Sequence, residues 1–267
     1  MAERKYCCFK GRGEISLVSY AARLAMTAGF LPVGNASAFA INVTENTEEV
    51  PDYTSPSGGT ACSFREIATV QVALSLRCHS PSNWAIATSG AGADTEVPKA
   101  AVADEPHVLW PGTMEPLNHL VDDSVAVVVT SPDGTTTYES GRDYVITPAG
   151  SLKAVEGTTI PVPTIASGQG VPNINVSYTR RDQRLIQLYA RPPQPVALHF
   201  DGYNVAADTP QATHFDLYRV VFGPAASVNV IGDNLAVLEL TGSAERDTTK
   251  PMGSLTNPFS QFGTLRI

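Results

Sequence analysis

The sequence predicts a mainly β protein, a β-sandwich or open barrel with one short helix and a small inserted β-sandwich-like module. Three observations carry this. Apolar and polar residues alternate with period two over long stretches, which marks strands with one buried face. Twenty prolines and 21 glycines punctuate those stretches, as a sheet protein with many turns requires. Helical periodicity is scarce.

The first strand candidate is Glu14–Val18. It runs into VSYAARLAMTA (residues 18–28), which has helical composition with Gly29 as a stop but reads equally well as loop and strand. Phe39, Ile41 and Val43 then alternate with Ala40, Asn42 and Thr44. The clearest strand runs from Phe64 to Cys78. Phe64, Ala68, Val70, Val72, Leu74, Leu76 and Cys78 share one face, and Arg65, Thr69, Gln71, Ser75 and Arg77 the other. Such a strand spans about 50 Å, long for a globule and suited to a barrel or ribbon. Between these strands, Glu45–Ala61 reads ENTEEVPDYTSPSGGTA, an acidic loop with Pro51, Pro56, Gly58 and Gly59. Structureless loops of this length are uncommon and usually functional or disordered.

A short helix is expected over Pro81–Ser89, with Ser80 as N-cap, Pro81 in the first turn, Gly90 as the stop and Trp84 packed on the sheet. Ala91–Pro116 is rich in alanine, proline and acid and reads as a linker. The block Leu117–Arg181 holds strands at Ser124–Thr130 and Asn175–Arg180 and a turn at Ser131–Gly134. It reads as a module inserted into a host domain, dividing the chain into residues 1–116, 117–181 and 182–267. The host sheet resumes in Leu185–Tyr189, Val196–Phe200, Phe215–Phe222, Leu235–Thr241 and Gly263–Ile267, with Pro192, Pro193 and Pro195 stiffening an edge or corner.

Charged residues make up only 16% of the 267, which suits a surface covered largely by copies of the same chain. The net charge of -8 and the lack of any lysine/arginine run beyond Arg180-Arg181 exclude a sequence-reading nucleic-acid protein, but not a conduit that DNA slides past. The start, MAERKYCCFK, has no apolar signal core, and no stretch reaches the roughly 20 apolar residues of a membrane helix. Cys7, Cys8, Cys62 and Cys78 form no C-x-x-C, and His79, His107, His119, His199 and His214 are scattered. Buried reduced thiols are therefore expected, and no metal or cofactor.

No catalytic constellation stands out, so no enzyme is expected. Asp122 and Asp123 are adjacent and read as turn residues. There is no G-x-S-x-G elbow, and Gly168 and Gly170 lie in a proline-flanked loop. Asn42-Val43-Thr44 and Asn175-Val176-Ser177 match the glycosylation pattern but read as plain strand residues. Glu45, Glu48, Glu49 and Asp52 lack the order of a calcium loop.

The layout of the first ninety residues is CFKGRGEISL, AGFLPVGNASAFAINV, the acidic Pro/Gly loop, FREIATVQVALSL, then SPSNWAIATSG. Near the other end stands VALHFDGYNVAADTPQATHFDLYRVVFGPAASVNVIGDNLAVLELTGSAERD. Together these resemble the tail tube (major tail) proteins of siphophages over about two thirds of the chain; Leu117–Arg181 departs from the family's simplest members. The resemblance implies a β-sandwich or open barrel with a flanking helix. It implies six-subunit rings whose inner sheets join into one barrel, and stacked rings through which viral DNA is ejected without specific binding. It implies a ring-stacking loop at Glu45, Glu48, Glu49, Asp52 and Tyr53. Thr69, Gln71 and Ser75 become candidates for the lumen, with Arg65 and Arg77 near strand ends and paired to an acidic neighbour of another subunit. The partners implied are copies of the chain and other tail proteins (tape measure, terminator, distal tail), with no membrane. The place implied is the virion tail, assembled in the host bacterial cytoplasm. Two other readings stand beside it: a terminator or distal tail/baseplate ring protein, and a carbohydrate-binding β-sandwich. The last needs exposed aromatics converging on one face, whereas aromatics here are 7% and scattered.

Overall fold

The computed structural model describes residues 8–54, 56–89, 91–206, 210–254 and 259–267. Strands hold 48% of the chain and helices 5%, so the fold is mainly β. The chain divides into two compact units, one running up to Asp94 and resuming at Ile186–Ile267, the other Thr95–Leu185.

The first unit opens with strand β1 (Gly11–Ser19), helix α1 (Tyr20–Leu24), β2 (Leu31–Pro32), β3 (Ala36–Pro51), β4 (Thr60–Leu76), helix α2 (Pro81–Ala87) and β5 (Ala91–Val97). The second unit follows with β6 (Ala100–His107), β7 (Met114–Glu115), β8 (Val128–Thr130), β9 (Thr137–Tyr138), β10 (Tyr144–Ile146), β11 (Leu152–Ala154), β12 (Ile165–Ala166), β13 (Gln169–Gly170) and β14 (Ile174–Arg180). The chain returns through β15 (Gln183–Gln187) to β16 (Pro195–Asn204), β17 (Gln211–Phe222), β18 (Leu238–Ala244) and β19 (Gly263–Arg266).

The main sheet runs β2-β1-β16-β17-β18-β4-β3, with β19 on β17 beside β18. Leu17 lies opposite Leu198 and Leu198 opposite Leu217. Leu240 lies opposite Leu74, which also faces Phe39. These rows, with Val72, Leu76, Val220 and Leu238, form the buried core. The sheet curls over this core. Phe39 on edge strand β3 approaches Phe200 at 6.3 Å and Phe215 at 6.0 Å between ring centroids, although β18 and β4 separate β3 from β17 in the ladder. The result is two facing layers without a closed barrel.

Helix α2 plugs the core, burying Ala85 and Ala87 with Trp84 and Ile86 against it. The Ser80 hydroxyl caps it by accepting from Asn83 N at 3.2 Å. Asn83 in turn donates to Val33 O and Cys78 O, both at 2.8 Å, so one buried amide fixes the helix to two strand ends. Gly90 lies outside the described residues. A second helix, α1, occupies part of the ambiguous 18–28 stretch and buries Tyr20.

The second unit is built from short strands in the orders β6-β14-β8-β9 and β10-β11-β7, with β12 and β13 as a pair. Its own core holds Leu109, Val129, Leu152, Ile174, Val176 and three buried tyrosines. Side chains supply what the short ladders cannot. Asn173 accepts from Leu109 N and donates to Leu109 O and Pro161 O. Asp143 accepts from Glu139 N, Thr159 N and Thr159 Oγ1 and pairs with Arg142. The donors from Glu139 and Thr159 outweigh burial and hold its carboxyl well below the usual range.

Several expectations are corrected. The Glu45–Ala61 stretch is not a loop. Its first seven residues continue β3, and Thr60 and Ala61 belong to β4, leaving a turn at 52–59. Ala91–Pro116 is not a linker, for it carries β5, β6 and β7. The compact unit therefore begins at Thr95, not Leu117, and ends at Leu185. The thiols are not buried: Cys8 and Cys62 are exposed and Cys78 is half-buried, while Cys7 lies outside the described residues. Phe64 and Ala68 are exposed. The outer part of the hairpin has no buried face, so no alternation betrays it, and the buried positions at the end of β6 are Glu105 and His107, polar residues that give no apolar signal. Acid, proline and glycine then dominate the local signal. Smaller shifts occur in β18, which begins at Leu238, and in β8, which is confined to Val128–Thr130.

Candidate functional site

Two features of the first unit stand out: the outer half of the β3–β4 hairpin and a cleft beside α1. The hairpin ladder runs unbroken in direction from Ala36↔Leu76 to Pro51↔Thr60. Its inner half covers the core. From Asn42 outward on β3, and from Thr69 outward on β4, every described residue of the ladder is exposed. This arm is roughly 30 Å long at ~3.4 Å per residue. A register shift at Thr44/Glu45 leaves Ala68 as the extra residue on β4. Such a bulge exchanges the faces of everything beyond it, so Phe64 no longer continues the core face of Val70.

The arm carries Glu45, Glu48, Glu49, Asp52 and Glu66 against a single Arg65. Among them stand exposed apolar side chains: Val43, Val50, Phe64, Ile67 and, at the turn, Tyr53, which is 87% exposed. Asp52 shapes the turn. Its Oδ1 accepts from Thr54 N and Oγ1, and its backbone N donates to Gly59 O at 2.8 Å. Gly58 and Gly59 adopt φ of 69° and 127°, which residues with a Cβ rarely take.

Glu45, Glu48 and Glu49 thus lie on a strand and Asp52 and Tyr53 on its turn, all in one arm. Thr69, Gln71 and Ser75 lie on β4 facing away from the core. Gln71 lies between Asn42 and Ser243, and Ser75 between Ala38 and Glu239. That face is polar, and Thr69 and Gln71 are exposed. Arg77 immediately follows β4, but Arg65 does not lie at a strand end; it sits within the arm opposite Thr47.

The cleft was not legible in the sequence, because its walls come from four distant segments. It holds about 590 Å³ between α1, β16, β17 and the stretch leading to β19. His199 Nδ1 lies 2.5 Å from Asp216 Oδ1, and Arg266 and Thr264 converge on the other oxygen of Asp216. Tyr20 donates its hydroxyl to Asp247 at 2.8 Å, and Thr249 donates to the same oxygen. Burial and the Asp247 carboxylate push the Tyr20 phenol up. Burial opposes ionisation of Asp247, but the Thr249 and Tyr20 hydrogen bonds prevail and hold it below the usual range. Tyr20 therefore stays a donor and Asp247 an acceptor near neutral pH.

The second unit buries a Glu105–His107–Tyr178 cluster. Glu105 accepts from Tyr178 and Asn118 N and lies 2.6 Å from His107 Nε2. Burial opposes its charge, yet these partners hold its pKa down. With these contacts made inside the core, the cluster braces β6 against β14. Among the described residues there is no group of three or more His, Cys, Asp or Glu placed to hold a metal. No helix among them is long and apolar enough to cross a membrane.

A family model described as "Protein of unknown function UCP028589" matches residues 8–266. No curated protein matches the chain.

Proposed function

We propose a structural role, from the premise that this chain belongs to that family of unknown function: it is a tail tube subunit that assembles into stacked, six-membered rings, not an enzyme. The arm carries this reading. A two-stranded ribbon without a second layer is marginal in water, and ordering its backbone costs about 1–2 kcal/mol per residue. An arm exposed on both faces gains its missing layer from another molecule. Repetitive self-assembly supplies that molecule at every position.

The sheet edges support it. β3 is an edge along its whole length, and β2 with Val33 covers only Ile15, Ser16 and Leu17 of β1, leaving Gly11–Glu14 open among the described residues. Open edges are templates for another chain's strand, and joining β3 of one copy to β1 of the next closes a ring of continuous sheet. The outward face at Thr69, Gln71 and Ser75 is polar, with Arg77 only just past the strand end, which suits a lumen that DNA passes with few phosphate contacts acting as a brake. The His199–Asp216 pair does not argue for catalysis, since the nearby Thr264 hydroxyl is directed to Asp216 and not to His199.

On this reading the other partners are tail proteins at the two ends of the tube (terminator and distal tail) and a tape measure inside it. Negative-stain microscopy of the purified protein at high concentration tests it. Uniform tubes are expected. Isolated rings that never stack would reassign the chain to a terminator or distal tail role, and monomers at every concentration would overturn the assembly role altogether.

A further inference from the structure

We propose that the cleft beside α1 is the receptor for the acidic arm of a second copy of this chain. The inference rests on the reading that the arm works between copies, and it names the surface on which the arm lands.

The first support is a charge imbalance. The acids of the cleft are used internally: Asp216 by Arg266, Thr264 and His199, and Asp247 by Tyr20 and Thr249. Of its cations, Arg266 is paired with Asp216, whereas Arg23 and Lys250, which line the cleft and are exposed, have no salt bridge to a carboxylate among the described residues. Arg246, next to Asp247 in the chain but outside the cleft lining, is likewise exposed and without a salt bridge among the described residues. Each lies over an aromatic ring: Arg23 over Phe30 at 5.2 Å, Lys250 over Tyr218 at 5.0 Å and Arg246 over Phe262 at 5.9 Å. Stacking on a ring limits the rotamers of a long side chain while leaving its charge exposed, so less freedom is lost on binding.

The second support is the match to the arm. The arm has five carboxylates and one arginine, interleaved with exposed Val50, Tyr53, Phe64 and Ile67. The cleft rim offers exposed Leu24 and Met26 beside its cations. Both surfaces thus mix apolar contact with charge, and of opposite sign. The chain as a whole carries -8, so two copies repel at long range. A contact between copies needs a local positive surface, and this is one. The arm is exposed in the isolated chain, so its own cleft does not hold it.

The test is a charge swap in the full-length protein. Arg23→Glu with Lys250→Glu should raise the concentration needed for assembly at least tenfold, with the thermal transition of the monomer unchanged because both side chains are exposed. Glu48→Lys with Glu49→Lys in the same chain should restore assembly. As an independent readout, Met26→Cys is combined with Cys7→Ser, Cys8→Ser and Cys78→Ser, leaving Cys62 on the arm. Mild oxidation of the assembled protein should then link Cys62 of one copy to position 26 of another. Undiminished assembly of the Arg23/Lys250 variant together with no cross-link overturns the proposal. In that case a variant with the arm excised separates the two readings. If it fails to assemble, the arm works between copies but lands elsewhere; if it assembles normally, the arm reading falls as well. If the wild-type monomer binds duplex DNA at about 0.15 M salt, and the Arg23/Lys250 variant loses that while assembling normally, the cleft serves nucleic acid and the proposal is again overturned.

Discussion

The inner and outer halves of the β3–β4 hairpin share two strands, one ladder and one turn, yet they are different objects. The inner half sets Val70, Val72, Leu74 and Leu76 into the core, each less than a tenth exposed. The outer half continues the same hydrogen bonds with Phe64 at 62% and Ile67 at 51% exposure. A ladder hydrogen bond nets only about 0.5–1.5 kcal/mol, whereas burying a leucine or valine side chain is worth about 1.5–3 kcal/mol. The contrast shows that pairing continues a strand but burial holds it. Where burial stops, the ribbon has no second layer from its own core.

The most drastic way to break the comparison is to remove the outer half. Val43 and Val70 are directly opposed, so replacing residues 44–69 with Asn-Gly makes a two-residue hairpin. The shortened chain should keep a cooperative thermal transition and lose all assembly by sedimentation and microscopy. An unfolded product would show that the arm supports the fold itself.

Hydrogen exchange sharpens the contrast without changing the sequence. In dilute protein, amides of Ile41, Val72 and Leu74 should exchange at least ~10³ times more slowly than those of Thr47, Glu49 and Arg65, the ratio given by ~4 kcal/mol of opening free energy. Assembly should slow the arm amides toward the base. Arm amides already as slow as the base in dilute protein would refute the view that the arm lacks support.

Two truncations compare the halves energetically. Leu74→Ala should cost about 3 kcal/mol in urea unfolding. Phe64→Ala should change monomer stability by less than ~0.5 kcal/mol while raising the concentration needed for assembly. Equal costs would mean that the exposed face of Phe64 is already covered within the chain.

The second unit is the reference case, since it keeps strands of two or three residues in place by giving them a core and side-chain braces. Asp143 is such a brace. Its carboxyl is held below its ordinary value, near 3.9 in unfolded chains, so its stabilisation is complete above that value and is lost as pH falls through the lower, folded one. The excised Thr95–Leu185 should fold alone and lose stability in strong acid. Asp143→Asn should be less stable at pH 7 and show a shallower loss on acidification. An unchanged acid profile in the variant would assign the loss to other carboxylates.

Legibility in the sequence followed burial. The base of the hairpin, β16, β17 and α2 were readable because one face of each is buried, and because Ser80-Pro81 is a cap with a mechanism. The arm reads as a loop, since neither of its faces meets the core of its own chain and the bulge at Ala68 breaks the parity that made Phe64 look like a core residue. Its acids were still found as a group, because charge survives in composition where periodicity does not. β6 was lost among alanines, proline and acid. The cleft left no trace at all: Arg23, His199, Asp216 and Lys250 come together only through the strand order, which no local pattern encodes.

The spacing of acids along β3 has a further consequence. A long open edge invites the same edge of another molecule, and two such ribbons zipped side by side are the start of a fibril. Glu45, Glu48 and Glu49 stand within five residues of one another on that edge. Laying one arm along another would bring carboxylates close to carboxylates in the antiparallel sense as well as the parallel one, because the cluster is short and lies mid-ribbon. The same acids proposed to meet a cationic cleft therefore also act as gatekeepers, opposing the zipping of one displayed ribbon onto another.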